Sequence, residues 1–327
     1  MIKPNIAVIG AGLSGLTVAN VLKDAAHITV FEKARGVSGR MSTRYADPYQ
    51  FDHAAQFFTA RSTAFTSFLT PHLASGLVQE WAPKVVTLEK GKKPYKRDWF
   101  EPHYVATPKM NDLCKILAMN IDVQLPVHIN NITKKDSGWQ LEDKDSKDCG
   151  IYDWVVSSAP SHQTAMLLPD DFAHIDKVNN AQMSACFSLM LGFEDNIACH
   201  FGAARVKNSP IDWISVNTDK PQRNQNTSLL VTTHHDWSEI HKNDDKADIQ
   251  QLLIDELSDI LQLNAHKAQH QTIHRWLYAG VAQAAGEDYL LDDKQQLAAC
   301  GDWCIEGRVE AAFLSGHRLG TRLLNLL

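Results

Sequence analysis

Residues 6–22, IAVIGAGLSGLTVANVL, followed by residues 27–36, HITVFEKARG, decide how this chain begins to fold. Ile6 to Ile9 is a short apolar run suited to a strand covered on both faces. Gly10 then allows a tight turn, Gly12 removes a side chain where backbone must approach a pyrophosphate, and Gly15 lets the next helix pack on the strand. Leu13 and Ser14 open that helix, whose free N–H groups and partial positive charge face the phosphates. His27 to Phe31 reads as a second strand ending on Glu32 and Lys33. A carboxylate at Glu32 accepts hydrogen bonds from both hydroxyls of an adenosine ribose and disfavours a ribose phosphate. The alternative is a glycine-rich turn in an unrelated connection. A strand before, a helix after and an acid at the expected distance argue against it.

The stretch EKARGVSGRMSTR, residues 32–44, places Gly36, Gly39, Arg40, Met41 and Arg44 directly after the second strand. A guanidinium beside a glycine turn suits a pyrophosphate, whereas a merely solvated basic loop is the plainer alternative. The stretch resembles the segment of the flavin amine oxidase superfamily that runs from an acid to a GGR triplet, with Ser38 where the first glycine of the pair is usual. That resemblance implies FAD, with Arg40 at its phosphates. At the other end, Leu297 to Cys300 reads as a strand running into GDWCIEGRVEAAFLSGHRLGTRLL, residues 301–324. Asp302 at the strand end can bind a ribitol hydroxyl. A helix from near Val309 would aim its amino terminus at the N1 and C2 carbonyl edge of a flavin, where charge accumulates on reduction. Glu310 suits the same helix start, and Ala312, Leu319 and Leu323 share a core-facing side.

With 327 residues and 44% hydrophobic content, the chain can bury one large core or two moderate ones. A net charge of -6 and the absence of a basic, aromatic-interleaved stripe predict no nucleic-acid partner. No stretch approaches the ~20 apolar residues of a membrane span, and the apolar run after Lys3 reads as the phosphate loop, not a secretory signal. Cysteines at 114, 149, 186, 199, 300 and 304 lack paired spacing, which predicts reduced thiols in the cytoplasm.

Residues 1–70, 105–165 and 280–327 are assigned to a discontinuous FAD-binding domain, and 71–104 with 166–279 to a substrate domain. The first includes a helix over 106–120 with Met110, Leu113 and Leu117, short strands over 121–141, and a buried strand at Val155 and Val156. In the second, ACFSLMLGF, PIDWISV and TSLLVTTHH suit an antiparallel sheet, and 247–263 is amphipathic with Ile249, Leu252, Leu253, Leu257 and Ile260 on one face.

His274 and Trp276 alternate on a predicted strand, so both face one space while Arg275 points away. They are candidates for a substrate pocket, with Tyr278 as a further wall; the alternative is a core aromatic beside an incidental histidine. His266, His270 and His274 recur every fourth residue, and His234 and His235 add further nitrogens. The β-prone QTIHRWLY breaks any helical stacking, and no carboxylate or thiol completes the set, so no metal is expected. Three residues separate Cys300 from Cys304, one more than a CxxC redox pair has.

GAGLSGL, GRMSTR, FDHAAQFFTAR, HRWLYA and CGDWCIEGRVEAAFLSG together resemble the renalase family over essentially the whole chain. The resemblance implies an α/β fold of the flavin amine oxidase and p-hydroxybenzoate hydroxylase kind, in which a Rossmann-type FAD-binding domain joins a second domain on a mainly antiparallel sheet. It places Ala55, Gln56 and Phe57 beside the isoalloxazine. Ala54 stands where a glycine is usual, and Ala106 and Lys109 depart from a YVGxxGM pattern. The implied activity is oxidation of 2- and 6-dihydro-NAD(P) isomers to NAD(P)+ by hydride transfer to N5 of a non-covalent FAD, with O2 reduced to H2O2. A dihydropyridine becomes aromatic on losing hydride and needs no protein base, whereas an amine must first be neutral. No Lys or Glu stands at a flavin-facing motif to act as that base. An amine oxidase acting on a small amine, and a flavin-bound binding or signalling protein without turnover, are the other readings.

Overall fold

The computed structural model describes residues 3–195, 197 and 199–327. The chain opens with strand β1 (Asn5–Ile9), helix α1 (Leu13–Leu22) and strand β2 (His27–Phe31). Strands β3 (Arg44–Ala46) and β4 (Tyr49–Phe51), helix α2 (Thr63–Ala74) and strand β5 (Val85–Glu89) follow. Next come α3 (Asp112–Ala118), β6 (Asp122–Gln124) and β7 (Trp154–Ser157). The middle of the chain supplies β8 (Gln182–Gly192), β9 (Ala203–Lys207), β10 (Ile211–Val216), β11 (Ser228–Thr233) and α4 (Lys246–Leu261). The last elements are β12 (His270–Gln283), β13 (Leu290–Asp292), β14 (Leu297–Ala299), α5 (Asp302–Ile305) and α6 (Val309–Leu324).

One sheet runs β13-β14-β7-β1-β2-β6, parallel except for β13. The buried residues of β1 and β7 put apolar side chains on both faces, as strands covered by helices and loops on two sides require. The second sheet runs β12-β8-β11-β10-β9-β5 and ends on Tyr95–Lys96; all its pairings are antiparallel except β9 with β5. Alternate residues of β8 face opposite ways: Phe187, Leu189 and Leu191 join a core with Ile249, Leu253 and Leu257 of α4, while Ser188 and Met190 face the other side. Strand β12 is continuous through residue 280 and so carries the second sheet up to the parallel one.

Helix α6 lies against α1 because Gly316 lets backbones meet: a Cβ there would stand 2.3 Å from the Ser14 carbonyl oxygen. This contact joins the two chain ends. Leu319 and Leu323 are buried as expected, but Ala312 is only half-buried, the arc being carried by Ala311 and Phe313. In α4, Leu252 is 40% exposed and Ile254 takes its place, because the sheet covers an arc displaced from the expected one. The helix expected over 106–120 forms only as α3. Tyr104–Ala106 pairs instead with Val78–Glu80, and Pro108 disfavours helix at the residue before it. Among the described residues, no helix is long and apolar enough to cross a membrane.

Candidate active site

The β1–α1 loop presents the amino terminus of α1 with no side-chain cap and no acid in its first turn, so the N–H groups of Leu13, Ser14 and Gly15 are left for a ligand. A Cβ on Gly15 would lie 2.2 Å from the Gly10 carbonyl oxygen, which is why only glycine lets the helix start this close to the strand. A Cβ on Gly12 would meet nothing within 4 Å, so open space adjoins the helix start. Glu32 is buried, with Oε2 accepting from Ala11 N at 3.0 Å and Oε1 from Ala34 N at 2.8 Å. These bonds fix the carboxylate beside the loop and leave it further acceptor capacity. Lys33 Nζ donates to Gln163 Oε1 at 2.9 Å, and partial burial draws its pKa down against the pull of Glu32. Ser38 holds φ at 110°, a conformation that favours glycine, and its N–H donates to Ala11 O at 2.8 Å. The serine therefore keeps the backbone course of the glycine it replaces. Met41 is buried in the adjoining turn.

Arg40 and Asp302 face each other. The guanidinium donates to both carboxylate oxygens, at 2.8 and 2.5 Å, and also to Ala279 O on β12 at 3.3 Å. Ala55 N donates to Arg40 O at 3.0 Å, so the glycine turn, the 52–57 loop, β12 and the start of α5 converge on one place. Helix α6 begins at Val309 as expected, again without a side-chain cap. Glu310 does more than complement the helix start, because its carboxylate accepts from Ser62 N at 2.6 Å and from Arg61 N, anchoring the entry to α2. An uncapped helix start, open space at Gly12, a buried acid and a guanidinium together fit a dinucleotide cofactor.

Further along β12, His274 and Trp276 share one face, with ring centroids 4.3 Å apart, while Arg275 turns away and donates to Asp244 O at 3.2 Å. Both pack on His53, at 5.2 and 5.1 Å, and Trp276 Nε1 donates to His53 O at 3.0 Å. The Tyr278 ring lies against His162 instead, at 5.7 Å. Register continues His274 across the second sheet through Ser188 and Thr232 to Trp213, giving one row on the side facing the 52–57 loop. Burial, together with His274, lowers the His53 pKa to about 4; burial, with Arg44 and Lys246, lowers that of His274. Both shifts favour the neutral imidazole.

Gln56 is held by Nε2, which donates to Asp52 O at 2.7 Å and Ala54 O at 3.0 Å. Phe57 belongs to an aromatic group with Trp81, Trp99, His103 and Trp213, the nearest ring being His103 at 4.5 Å. Behind the loop, the fully buried Asp52 accepts from Thr43 Oγ1 (2.8 Å), Met110 N (3.2 Å), Lys220 Nζ (3.2 Å) and Arg223 Nε and a terminal nitrogen (3.1 and 2.7 Å). Burial alone would raise its pKa, yet Lys220 and Arg223 hold it at about 2. His53, Trp213 and this network escaped the sequence reading. FDHAAQFF contained the first of them, but nothing local marks it as facing β12.

His266 sits in a 3₁₀ turn paired with Asp255, whereas His270 and His274 lie on β12, so the helical stack does not form. Among the described residues, no three His, Cys, Asp or Glu side chains form a set able to hold a metal ion. Cys300 receives a hydrogen bond from Ser14 Oγ at 3.2 Å, and burial pushes its thiol up to about 12, which makes it a poor nucleophile. Ala106 is buried in its strand, and the Lys109 ammonium lies 5.2 Å from the Tyr45 ring centre.

A family model of NAD(P)-binding Rossmann-like domains matches residues 8–70. A protein assigned as protoporphyrinogen oxidase from Exiguobacterium sp. 255-15 superposes with a TM-score of 0.80 at 11% identity, covering 100% of both chains. Cyclohexylamine oxidase from Brevibacterium oxydans IH-35A superposes at 0.76 with 11% identity, covering 99% of each chain. A reduced UDP-galactopyranose mutase superposes at 0.75 with 11% identity, covering 100% of this chain and 95% of its own. At such identities the likeness is one of architecture, and that architecture is the α/β fold of the flavin amine oxidases, opening with a Rossmann-like dinucleotide-binding unit.

Proposed function

We propose that the protein is an FAD-dependent oxidase that converts dihydronicotinamide dinucleotide isomers of the 2- and 6-dihydro type into NAD(P)+. The observation that carries this reading is the cluster of His53, His274 and Trp276 rings. The shifts of both imidazoles favour their neutral forms, Trp276 packs against them, and the charges acting on them are Arg44, Lys246 and an Asp52 already matched by Lys220 and Arg223. Such surroundings disfavour an ammonium group and suit a substrate that carries phosphates. FAD, when bound, supplies the hydride acceptor and returns the electrons to O2 as H2O2.

The protein groups align rather than transfer protons. Leu13 to Gly15 and Arg40 hold the phosphates, Glu32 the adenosine ribose, and Asp302 with the start of α6 the flavin end, all without a covalent link. Trp276 and His274 hold the dihydropyridine flat and exclude water from it. Loss of hydride makes that ring aromatic without a base, in keeping with the absence of an unpaired carboxylate among the charges named above. The cofactor-binding amine oxidase fold also admits oxidation of a small amine, which the same experiment addresses. Six free cysteines fit a reducing compartment such as the cytoplasm. Aerobic incubation with a 6-dihydro isomer should give NAD(P)+ and H2O2 in equal amounts, with no turnover of small primary amines. Peroxide formed from amines alone would replace this reading with amine oxidation.

A further inference from the structure

Two buried polar atoms on the 52–57 loop have no hydrogen-bond partner among the described residues: Nδ1 of His53 and Oε1 of Gln56. Their side chains are 6% and 8% exposed, so water does not readily complete them. Neither position is soft. His53 is tied through its carbonyl to Trp276, the preceding Asp52 is fixed by three elements, Gln56 is clamped by its amide nitrogen, and Ala55 is bound to Arg40. A nitrogen fixed in this way beside His274 and Trp276 is an unused recognition group.

We propose that His53 is a second substrate-contacting residue which, together with His274, holds an uncharged planar amide of the substrate. Under the function proposed above, on which this assignment rests, that amide is the nicotinamide carboxamide. A neutral imidazole offers one donor and one acceptor, and because the His53 ring is also hydrogen-bonded to the Ser42 backbone, Nδ1 is left as an acceptor that an amide N–H can fill. A carboxylate has acceptors only and cannot pair with that nitrogen. Arg44, which acts on both rings, disfavours a cation. The two imidazoles meet edge-on at 5.2 Å, and each also contacts the Trp276 ring. A His53 that served packing alone would be replaceable by a ring of similar shape.

The test is a calorimetric titration of FAD-loaded protein with nicotinamide and with 3-acetylpyridine, which keeps the carbonyl and loses the amide N–H groups. Wild type should bind nicotinamide more tightly. His53→Phe, which keeps the ring and loses both nitrogens, should weaken nicotinamide roughly tenfold and leave 3-acetylpyridine within about twofold, with the flavin spectrum unchanged. His53→Asn, which returns a polar atom near the Nδ1 position, should recover most of that loss; it also carries the test if His53→Phe fails to fold. With steady-state substrate, His53→Phe should raise KM more than it lowers kcat. Equal nicotinamide affinity in wild type and His53→Phe, no recovery in His53→Asn, or no nicotinamide binding by wild type would each overturn the assignment. The titration involves no turnover, so nicotinamide held through His53 without reduction by dihydro isomers would overturn the oxidase reading alone. Reduction of wild type with an unaltered His53→Phe would overturn the His53 assignment alone.

Discussion

The guanidinium of Arg40 and the carboxylate of Asp302 meet in a two-pronged ion pair across 262 residues of sequence. One belongs to the glycine turn after β2 and the other opens α5, so the pair closes the ring of elements around the proposed cofactor groove. Asp302 is nearly buried, while Arg40 keeps about a quarter to a third of its side-chain surface in solvent and also reaches β12. Both groups are proposed to bind FAD, and each orients the other in the meantime.

Asp302→Ala should therefore fold and lose FAD affinity. Charged hydrogen bonds are worth ~1.5 to 3 kcal/mol, which corresponds to a Kd raised by roughly tenfold or more. Titration of apoprotein followed by quenching of flavin fluorescence measures it. An unaltered Kd would show that the pair serves only to join the two chain regions.

Asp52→Asn should be far more harmful to stability than to chemistry. It leaves Lys220 and Arg223, both with fully buried side chains, without their counter-charge, and breaking such a pair costs about 3 to 5 kcal/mol. Denaturant unfolding of variant and wild type should show the midpoint falling accordingly. A loss below about 1 kcal/mol would mean that the network is solvated in solution.

Acid should act on the His53 cluster before it reaches Asp52. The folded His53 pKa of about 4 lies below the ~6.5 of an unfolded histidine, so the unfolded chain binds more protons between those values. The stability linked to a neutral His53 is complete above about pH 6.5 and disappears as pH falls toward 4. Melting temperatures recorded from pH 7.5 to 4.5 should fall less steeply in His53→Phe than in wild type. Parallel curves would place the imidazole in contact with water.

What the sequence revealed was chiefly local. Gly10, Gly12 and Gly15 specify their own turn and helix start, and α6 begins at Val309 because the residues before it, Glu306 to Arg308, do not extend the helix. His274 and Trp276 share a face because alternation is a property of any strand. Errors arose where a partner decides the outcome. Leu252 and Ala312 lie just off arcs whose centres are set by the opposing sheet or helix, and Pro108 shortened a helix that periodicity alone would have extended. Asp52 finds Lys220 and Arg223 at separations of 168 and 171 residues, and no spacing rule reaches that far. His53 was hidden for the same reason, since its neighbours lie on β12.

The identity of the hydride donor is decisive, and anaerobic stopped-flow reduction of the purified flavoprotein measures it most directly. Micromolar 2- or 6-dihydronicotinamide dinucleotide should bleach the flavin rapidly, ordinary NAD(P)H slowly, and small primary amines not at all. His274→Ala should slow the bleaching up to ~10²-fold through poorer alignment at the reacting carbon and leave reoxidation by O2 nearly unchanged. Rapid bleaching by an amine, with none by either dihydro isomer, would contradict the account.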